Sequence, residues 1–374
     1  MTRVIYPGQT IGIIGGGQLG RMMALAAKEA GYKIAVLEPS MDSPCGQVAD
    51  IRIVAQYNDE AALEELAEVS DVITYEFENI DYEGLKRLTE MAYVPQGAEL
   101  VRITQNRVTE KLAIVNAGCP VAPYIVANTY EELVNQIDEI GYPCIVKTAQ
   151  GGYDGKGQQQ LNSKDDLPLA QKLLEHSQCV AEGFVSFERE ISVIVQRNGN
   201  GQSYCLPVGE NIHVHHILHE TIVPARISVE TYNKAIEAAK KIADYLQLVG
   251  TLAVEMFVLK DGQIIINELA PRPHNSGHYS IEACNVSQFG QHIRAICGWP
   301  LRKPKLWAPS IMVNLLGQHV VPLTNSITKY PEWSVHLYGK TEAKVNRKMG
   351  HVTIMTENIE ETLEQIKSSG IWSE

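Results

Sequence analysis

The stretch 251–271, TLAVEMFVLKDGQIIINELAP, consists of two apolar, strand-like runs on either side of Asp261-Gly262. This dipeptide is the strongest short signal for a two-residue β-hairpin turn. Counting outward from the turn places Glu255 on the first strand directly opposite Glu268 on the second. The stretch therefore predicts a hairpin in which two carboxylates face each other.

The facing carboxylates require a compensating partner. Directly opposed residues have Cβ atoms about 4.5 to 5.5 Å apart, and two like charges at this distance destabilise a strand pair. Proteins keep such a pair where a cation bridges the carboxylates or where one of them holds a proton. Glu255 and Glu268 are therefore predicted Mg²⁺ ligands. A shifted register, or one glutamate that faces water, is the alternative; the same count also places Phe257 opposite Ile266.

A second signal precedes the hairpin in CIVKTAQGGYDGKGQ, residues 144–158. Lys147 ends an apolar strand there, and the loop that follows contains four glycines in seven residues. Glycines let successive backbone N–H groups converge on an anion, and the lysine adds a positive charge. The loop is not a P-loop, since Gly157 stands where Ser or Thr would bind Mg²⁺. By itself, this loop could either close over a bound phosphate or be a flexible surface loop. Together with the facing carboxylates, it predicts a nucleoside triphosphate site.

The N-terminal segment alternates strand and helix, which predicts a β-α-β-α-β unit with a parallel sheet. Its motif GIIGGGQLG places Gly15, Gly17 and Gly20 at the spacing of a dinucleotide fingerprint, with Glu38 after the next strand. An NAD-dependent oxidoreductase is therefore one alternative. The same loop suits any phosphate at a helix N-terminus, including that of a sugar phosphate.

Two further groups of polar residues have open interpretations. The segment 213–219, HVHHILH, suggests zinc, but alternation along a strand puts His213 on a face that His216 does not share. Glu76 and Glu78 follow a predicted strand, at the edge where α/β sheets bind ligands. Either could equally be a solvated loop carboxylate.

Three domains are predicted, because the chain of 374 residues is longer than one hydrophobic core usually allows. A Rossmann-like domain covers residues 1–105, an α+β domain covers 106–300, and a small β-rich domain covers 301–374. The proline-rich connector GWPLRKPKLWAP precedes the last of them. The predicted fold class is therefore α/β and α+β.

The composition excludes several classes of partner. The formal net charge of −12 disfavours nucleic acid and anionic membrane surfaces. The seven cysteines are odd in number and scattered, which argues against a disulfide framework and favours a reducing cytoplasm. Neither a secretion signal nor a membrane span is expected, since no uncharged apolar run approaches about 18 residues.

Five motifs together resemble a known family. A strand lysine, a glycine-rich flap and two strand glutamates behind a Rossmann-like domain are similar to the ATP-grasp superfamily, which makes 106–300 the central ATP-grasp domain. Within that superfamily, the motifs GGGQLGRM, YEFEN, GGYDGKGQ, NELAPRPHNSGHY and YGKTEAKVNRKMGH resemble the 5-(carboxyamino)imidazole ribonucleotide synthases of purine biosynthesis. The similarity runs from about residue 10 to 355.

The resemblance implies an ATP-dependent carboxylation. ATP phosphorylates bicarbonate to carboxyphosphate, and the amine of 5-aminoimidazole ribonucleotide takes up the carboxyl group, leaving ADP and phosphate. The implied cofactors are ATP and Mg²⁺, and the implied assembly is a homodimer. The reactive anhydride must be shielded from water, so the glycine-rich flap is the expected lid.

The resemblance also implies which residues bind ATP, and it gives His213 a role other than zinc binding. Many ATP-grasp enzymes have an asparagine two residues after the second glutamate, where this chain has Ala270. The third Mg²⁺ ligand is therefore open between Asn267, a phosphate oxygen and water. The implied ATP contacts are Arg107, Lys147, Gly152, Tyr153, Asp154, Gly155, Lys156, Gly157, Gln158, Glu182, Gly183, Phe184, Val185, Glu190, His213, Asn267 and Glu268.

The second substrate is implied to lie against the cationic turn PRPHNSGH, whose prolines stiffen the backbone. Lys340 and Arg347 are the implied contacts of its 5′-phosphate. The implied substrate-binding residues are Gln18, Glu76, Arg272, His274, Asn275, Lys340 and Arg347. The implied catalytic residues are Glu76, Tyr153, Asp154, Arg272 and Lys340.

Two alternative functions are also compatible with a nucleotide-binding site. A folate-independent glycinamide ribonucleotide formyltransferase would have the same fold and would activate formate instead of bicarbonate. The motifs YEFEN and PRPHNSGH favour the carboxylating family. A non-catalytic nucleotide-binding regulator is the other rival, because motifs do not by themselves establish turnover.

Overall fold

The computed structural model describes residues 3–151 and 157–373, so five flap residues (Gly152, Tyr153, Asp154, Gly155 and Lys156) lie outside the described residues. Over the described ranges, the strands are β1 (Thr10–Ile14), β2 (Lys33–Leu37), β3 (Ile51–Ile53), β4 (Val72–Tyr75), β5 (Tyr124–Ala127), β6 (Cys144–Thr148), β7 (Gln158–Leu161), β8 (Cys179–Gly183), β9 (Arg189–Arg197), β10 (Ser203–Cys205), β11 (Gly209–Val214), β12 (Ile217–Val223), β13 (Gly250–Val258), β14 (Ile264–Ala270), β15 (Ser310–Leu316), β16 (Trp333–Leu337) and β17 (Lys348–Met355).

The α-helices of the same ranges are α1 (Gln18–Glu29), α2 (Glu60–Val69), α3 (Tyr82–Met91), α4 (Glu99–Thr104), α5 (Arg107–Asn116), α6 (Tyr130–Gln136), α7 (Gln171–Leu174), α8 (Val229–Tyr245), α9 (Ser280–Ala283), α10 (Gln288–Ile296), α11 (Val320–Ser326) and α12 (Ile359–Ser368). Short 3₁₀ helices lie at Ile137–Glu139, Lys164–Ala170, Asn275–Gly277, Gly317–His319 and Ile327–Lys329.

The N-terminal sheet has the strand order β3-β2-β1-β4, and all its strands are parallel. Every residue of β1, TIGII, is buried, as expected for a parallel strand in a sheet covered on both faces. The predicted alternation of strand and helix is present, with the short strand β3 as an addition. This sheet brings the end of β4, and with it Glu76, next to the glycine-rich turn after β1.

The second sheet has the order β5-β8-β6-β7 and is antiparallel. Lys147 on β6 lies opposite Gln158 on β7 and Val180 on β8. The predicted flap connects β6 to β7 in the sequence. The sheet therefore carries both the strand lysine and the two ends of the glycine-rich loop.

The third and largest sheet has the order β14-β13-β9-β11-β12-β15-β17-β16, with β10 paired to β9. Strands β15 to β17, which come from the predicted C-terminal domain, continue the sheet that carries both predicted Mg²⁺ ligands. The C-terminal region is therefore joined to the central region by backbone hydrogen bonds between β12 and β15. The fold class is mixed, with parallel α/β and antiparallel α+β parts, as predicted.

The hairpin between β13 and β14 differs from the prediction at its tip. The N–H of Leu259 donates to the carbonyl of Gln263 at 2.8 Å, so the turn contains three residues and not two. Gly262 adopts a positive φ of 76°, which glycine tolerates and which is usual in three-residue hairpin turns. As a consequence, Phe257 pairs with Ile265, and the predicted partner Ile266 was wrong.

A β-bulge restores the predicted pairing further along. The register shifts between Glu255 and Met256, which leaves Asn267 as the extra residue of β14. Glu255 is therefore directly opposite Glu268. The prediction was right at this pair because a longer turn and a bulge offset each other by one residue. Bulges commonly re-aim side chains next to active sites.

All seven cysteines are free thiols. In the residues that the structure describes, no helix is both long enough and apolar enough to cross a membrane.

Candidate active site

A cavity of about 740 Å³ lies where the three sheets meet, and it collects most of the predicted site residues. Its volume is in the usual range for a small-molecule site. The predicted residues that line it are Gln18, Glu76, Arg107, Lys147, Gln158, Phe184, Glu190, His213, Glu255, Asn267, Glu268, Arg272, His274 and Asn275. Residues predicted separately for ATP, Mg²⁺ and the second substrate thus share one cavity.

The facing carboxylates form what we call the metal end of this cavity. Burial raises the pKa of Glu255 to about 7, and the negative charge of Glu268 adds to this effect. Arg107 supplies a positive charge beside this pair, since its Nη1 lies 3.6 Å from Glu268 Oε2. Two opposed carboxylates and the bulge residue Asn267 present oxygen donors of the kind that Mg²⁺ prefers. The residues present therefore fit a divalent cation.

His274 orients one of these carboxylates. The N–H of Ser276 donates to His274 Nδ1 at 3.3 Å, so Nδ1 accepts and the proton lies on Nε2. His274 Nε2 is 3.1 Å from Glu255 Oε1. A hydrogen bond from an imidazole to a metal-binding carboxylate is a common way to fix the direction of the carboxylate.

The zinc interpretation of residues 213–219 is not supported by the geometry. His213 Nδ1 lies 2.7 Å from Glu190 Oε2 and both residues line the cavity. Across the described residues, no group of three or more His, Cys, Asp or Glu side chains has metal-site geometry. A cation at Glu255 and Glu268 would therefore need further oxygens from Asn267, phosphate or water.

The nucleotide end of the cavity carries Lys147 and Arg107. Lys147 Nζ donates to Glu182 Oε2 at 3.2 Å, and Lys111 Nζ lies 3.2 Å from Glu182 Oε1. Burial alone would raise the pKa of Glu182, but Lys147 and Lys111 hold it below its usual value. The Glu182 carboxylate is thus an ion-paired anchor for Lys147.

Glu110 is a buried carboxylate between the metal end and the nucleotide end of the cavity. Its Oε1 accepts the N–H of Leu269 at 2.7 Å. Burial raises the pKa of Glu110 to about 8, and the charge of Glu268 contributes. Because Glu110 is on α5 and Leu269 is on β14, this hydrogen bond attaches the helix to the strand that carries Glu268.

The opposite end of the cavity is built around Glu76, and we call it the ribonucleotide end after the substrate that the sequence resemblance predicts there. Its two oxygens accept the backbone N–H groups of Gly17 and Gly20, both at 2.5 Å. Burial raises the pKa of Glu76, and these two amides oppose the rise. A side chain on Gly17 would collide with Glu76 Oε1 at 2.5 Å, so the glycine allows the close approach.

The same contacts weigh against the NAD alternative. In a dinucleotide fingerprint, the loop amides and the N-terminus of the following helix bind pyrophosphate. Here, Gly16 donates to Glu38 Oε2 at 2.7 Å, and Gly17 and Gly20 donate to Glu76. Carboxylates of the chain itself occupy these donors and would repel a pyrophosphate. The glycine spacing therefore serves an internal contact.

Arg272 adds a partly buried cation at this end. Its Nε donates to Glu78 Oε2 at 2.6 Å. Burial would raise the pKa of Glu78, but Arg272 lowers it. Both residues line the cavity, so the ion pair presents the guanidinium in a fixed direction.

Lys340, in the C-terminal region, lies outside the cavity lining. Its Nζ donates to the carbonyl of Lys348 at 2.7 Å. Burial lowers the pKa of Lys340 to about 8, and Arg347 adds to this effect. The preceding Gly339 is held by Gln47, whose Nε2 donates to the Gly339 carbonyl at 2.7 Å.

Three family models match successive parts of the chain. They are the ribonucleotide synthetase preATP-grasp domain over residues 8–105, the ATP-grasp domain over 112–289, and the phosphoribosylaminoimidazole carboxylase C-terminal domain over 310–365. An N5-carboxyaminoimidazole ribonucleotide synthase of Bacillus subtilis is 54% identical over 364 residues, which cover 97% of this chain and 96% of that protein. The chain belongs to the N5-carboxyaminoimidazole ribonucleotide synthase family.

Solved structures of this synthase family superpose closely. The ADP complex of one such synthetase has 59% identity and a TM-score of 0.97, covering 100% of this chain and 99% of that one. An Aspergillus clavatus synthase, solved with ADP and 5-aminoimidazole ribonucleotide, has 31% identity and a TM-score of 0.91, with 98% of each chain covered. The chain is thus an ATP-dependent carbon–nitrogen ligase, and ATP-grasp enzymes use ATP with Mg²⁺.

Some residues implied by the synthase family do not line the cavity. The N–H of Gly183 donates to Pro123 O at 2.9 Å and that of Phe184 to Pro143 O at 3.0 Å, so these two amides bond within the protein. Arg347 Nη1 donates to the carbonyl of Glu342 at 3.0 Å. The implied residues away from the lining are Gly157, Glu182, Gly183, Val185, Lys340 and Arg347.

Several residues at the synthase-family site were not predicted from the sequence. Lys348 and His278 line the cavity beside residues that were named. Glu110 and Lys111 lie on α5 three and four residues after Arg107, on the same helical face. That spacing, together with the predicted role of Arg107, is the signal that would have found them.

Proposed function

We propose that the chain carboxylates 5-aminoimidazole ribonucleotide with bicarbonate at the expense of ATP. The products are N5-carboxyaminoimidazole ribonucleotide, ADP and phosphate. The observation that carries this proposal is the single cavity that joins a pair of facing carboxylates to partly buried cations at both ends. One half suits a metal-bound triphosphate and the other suits an anionic, hydrogen-bonding second substrate.

The nucleotide is proposed to lie across Lys147 and Arg107, with its phosphates toward Glu255 and Glu268. Both cations line the cavity, and Arg107 approaches Glu268 to 3.6 Å. Glu255 and Glu268, with Asn267 as a candidate further ligand, would hold Mg²⁺, which would neutralise phosphate charge and aid departure of ADP. His274 keeps Glu255 directed toward this position.

The carboxylation requires two transfers. An oxygen of bicarbonate attacks the γ-phosphorus, the bond to ADP breaks, and carboxyphosphate forms. The amine nitrogen of the ribonucleotide then attacks the carboxyl carbon, phosphate leaves with the electrons of the C–O bond, and the nitrogen loses a proton. Tyr153 and Asp154 of the flap, with Glu76, are the proposed groups near that nitrogen, and Arg272 offers a fixed positive charge to the developing anions.

The same proposal assigns a partner, a compartment and an assembly. Bicarbonate is the proposed carboxyl donor, because the family resemblance implies it and the cavity lining supplies cations that suit an anion. A reducing cytoplasm is proposed, since all seven cysteines are free. The family resemblance supports a homodimer, which sedimentation velocity of the purified protein would test.

The first experiment is an ADP-release assay with Mg²⁺, ATP and bicarbonate, with and without 5-aminoimidazole ribonucleotide. Strong stimulation by the ribonucleotide that disappears when bicarbonate is removed supports the proposal. Release that depends on formate and glycinamide ribonucleotide would instead identify the formyltransferase. No release under any combination would leave a nucleotide-binding regulator.

A further inference from the structure

Glu182 lies buried between two lysines that come from different elements. Its side chain is 8% exposed, Lys147 is 13% exposed and Lys111 is 2% exposed. Each ammonium is 3.2 Å from a different carboxylate oxygen. One carboxylate is thus shared by two lysine side chains that are largely shielded from solvent.

The two lysines differ in what they can reach. Lys147 lines the cavity, whereas Lys111 and Glu182 do not. A phosphate in the cavity would therefore attract Lys147 and not Lys111. If Lys147 turned to a phosphate with no other cation present, Glu182 would be left as a buried, unpaired charge, which is strongly unfavourable.

Lys111 is placed to prevent this. Its Nζ is at ion-pair distance from Glu182, but it makes no well-aligned hydrogen bond to any described residue. Its N–H groups are thus available to a carboxylate that rotates toward it. The neighbouring Glu110 bonds the N–H of Leu269, and the Tyr124 ring lies 5.7 Å from Lys111 Nζ. The ammonium is therefore held in place on the side of Glu182 that faces away from the cavity.

We propose that Lys111 is a positioning residue that retains Glu182 when nucleotide binds, so that Lys147 is free to leave Glu182 and contact the phosphates. This inference rests on the proposed role of Lys147 as a nucleotide contact. Lys111 itself touches neither ATP nor Mg²⁺. Without it, both oxygens of Glu182 hold Lys147 back from the cavity.

The test is ADP binding by isothermal titration calorimetry, which does not depend on turnover. Lys111→Met should weaken ADP binding at least fivefold, because Lys147 remains bound to Glu182. In Lys111→Met/Glu182→Gln both buried charges are absent, so the affinity should return to within twofold of Glu182→Gln alone. A residue needed only for packing would weaken binding in either background.

Controls separate this inference from the proposed function. Lys164→Met, an exposed lysine of the same region, should bind ADP as the native protein does. Lys147→Met should weaken binding, and adding Lys111→Met in a Lys147→Met/Glu182→Gln background, where no unpaired carboxylate remains, should have no further effect. If Lys147→Met binds ADP normally, the proposed role of Lys147 is wrong. If only Lys147→Met has an effect, the role of Lys111 is wrong.

Folding is checked by thermal unfolding of each variant. Should Lys111→Met lose its cooperative transition, Lys111→Gln replaces it, since an uncharged amide still fills the space. A change of less than fivefold in the folded variant, or weakening that persists in the Glu182→Gln background, overturns the inference. Restoration of affinity in the double variant supports it.

Discussion

The two ends of the cavity compensate the charge of their carboxylates in opposite ways. At the ribonucleotide end, two backbone N–H groups point at Glu76, and the fold itself compensates the charge. At the metal end, Glu255 and Glu268 face each other, and their mutual repulsion raises the pKa of Glu255 beyond the effect of burial. The first arrangement is complete without a ligand. The second would be stabilised by a cation from outside.

The largest effect should come from the metal end. Glu255→Gln and Glu268→Gln each remove a carboxylate that would bind Mg²⁺ during phosphoryl transfer, and we expect kcat for ADP release to fall by about 100-fold or more. Steady-state assays at several Mg²⁺ concentrations check this. The matched control is Glu357→Gln at an exposed glutamate. Near-native rates in both site variants would refute the metal assignment.

The free energy of unfolding should fall more for a substitution at the ribonucleotide end than for one at the metal end, the opposite of the order expected for activity. Glu76→Gln leaves one backbone N–H facing an amide NH₂ group, and an unpaired buried donor costs about 1 to 3 kcal/mol in the free energy of unfolding. Glu255→Gln removes a like-charge repulsion while its oxygen can still accept from His274, so stability without Mg²⁺ should not fall. Urea unfolding in EDTA measures both. Equal destabilisation of the two variants would contradict the proposed difference between the two ends of the cavity.

The ribonucleotide end should also respond to pH through Lys340. Burial lowers the pKa of Lys340 to about 8, so its positive charge is present below that pH and is lost as the pH rises. We expect kcat/KM for the ribonucleotide to fall about tenfold between pH 7 and 9, since a charge-assisted contact is worth roughly 1.5 kcal/mol or more. Lys340→Arg stays charged over this range and should abolish the decline. A parallel decline in Lys340→Arg would assign it to another group.

The smallest effect concerns the support of Lys340. Gln47→Ala removes the hydrogen bond to the Gly339 carbonyl, which lies at an exposed position. Losing one such bond changes binding by about two- to fivefold, so KM for the ribonucleotide should rise by that factor with kcat nearly unchanged. Gln56→Ala, at another exposed glutamine of the same region, is the control. A larger loss in kcat would show that Gln47 acts on the chemistry and not on substrate binding.

The metal end was more predictable from sequence than the ribonucleotide end. Alternation along two strands fixes which side chains share a face, so the Glu255–Glu268 pair followed from counting. The count succeeded although the turn is longer than predicted, because the bulge at Asn267 compensates. Neither the turn length nor the bulge has a unique sequence signal, since Asp-Gly suits turns of two or three residues.

The N-terminal glycines were harder to interpret for a physical reason. Glycine spacing shows where the backbone permits close approach, but it does not specify the group that approaches. Here it is the carboxylate of Glu76, which is 59 residues from Gly17 in the sequence. Glu110 and Lys111 were missed for a related reason: on a helix they resemble a solvent-exposed ion pair, and only the packing of α5 against two sheets buries them.

The shared large sheet has a consequence for how the protein is made. Lys348 enters the cavity from β17, a strand bonded into the same sheet as the metal-end hairpin. Ribosomes add about 5 to 20 residues per second, so the chain from Glu268 to Lys348 takes about 4 to 16 s to synthesise. Until β15 has been made, β12 presents an unpaired edge where β15 will bind, and β15 then presents such an edge until β17 has been made. The nascent chain is therefore most exposed to edge-to-edge association just before its active site is complete.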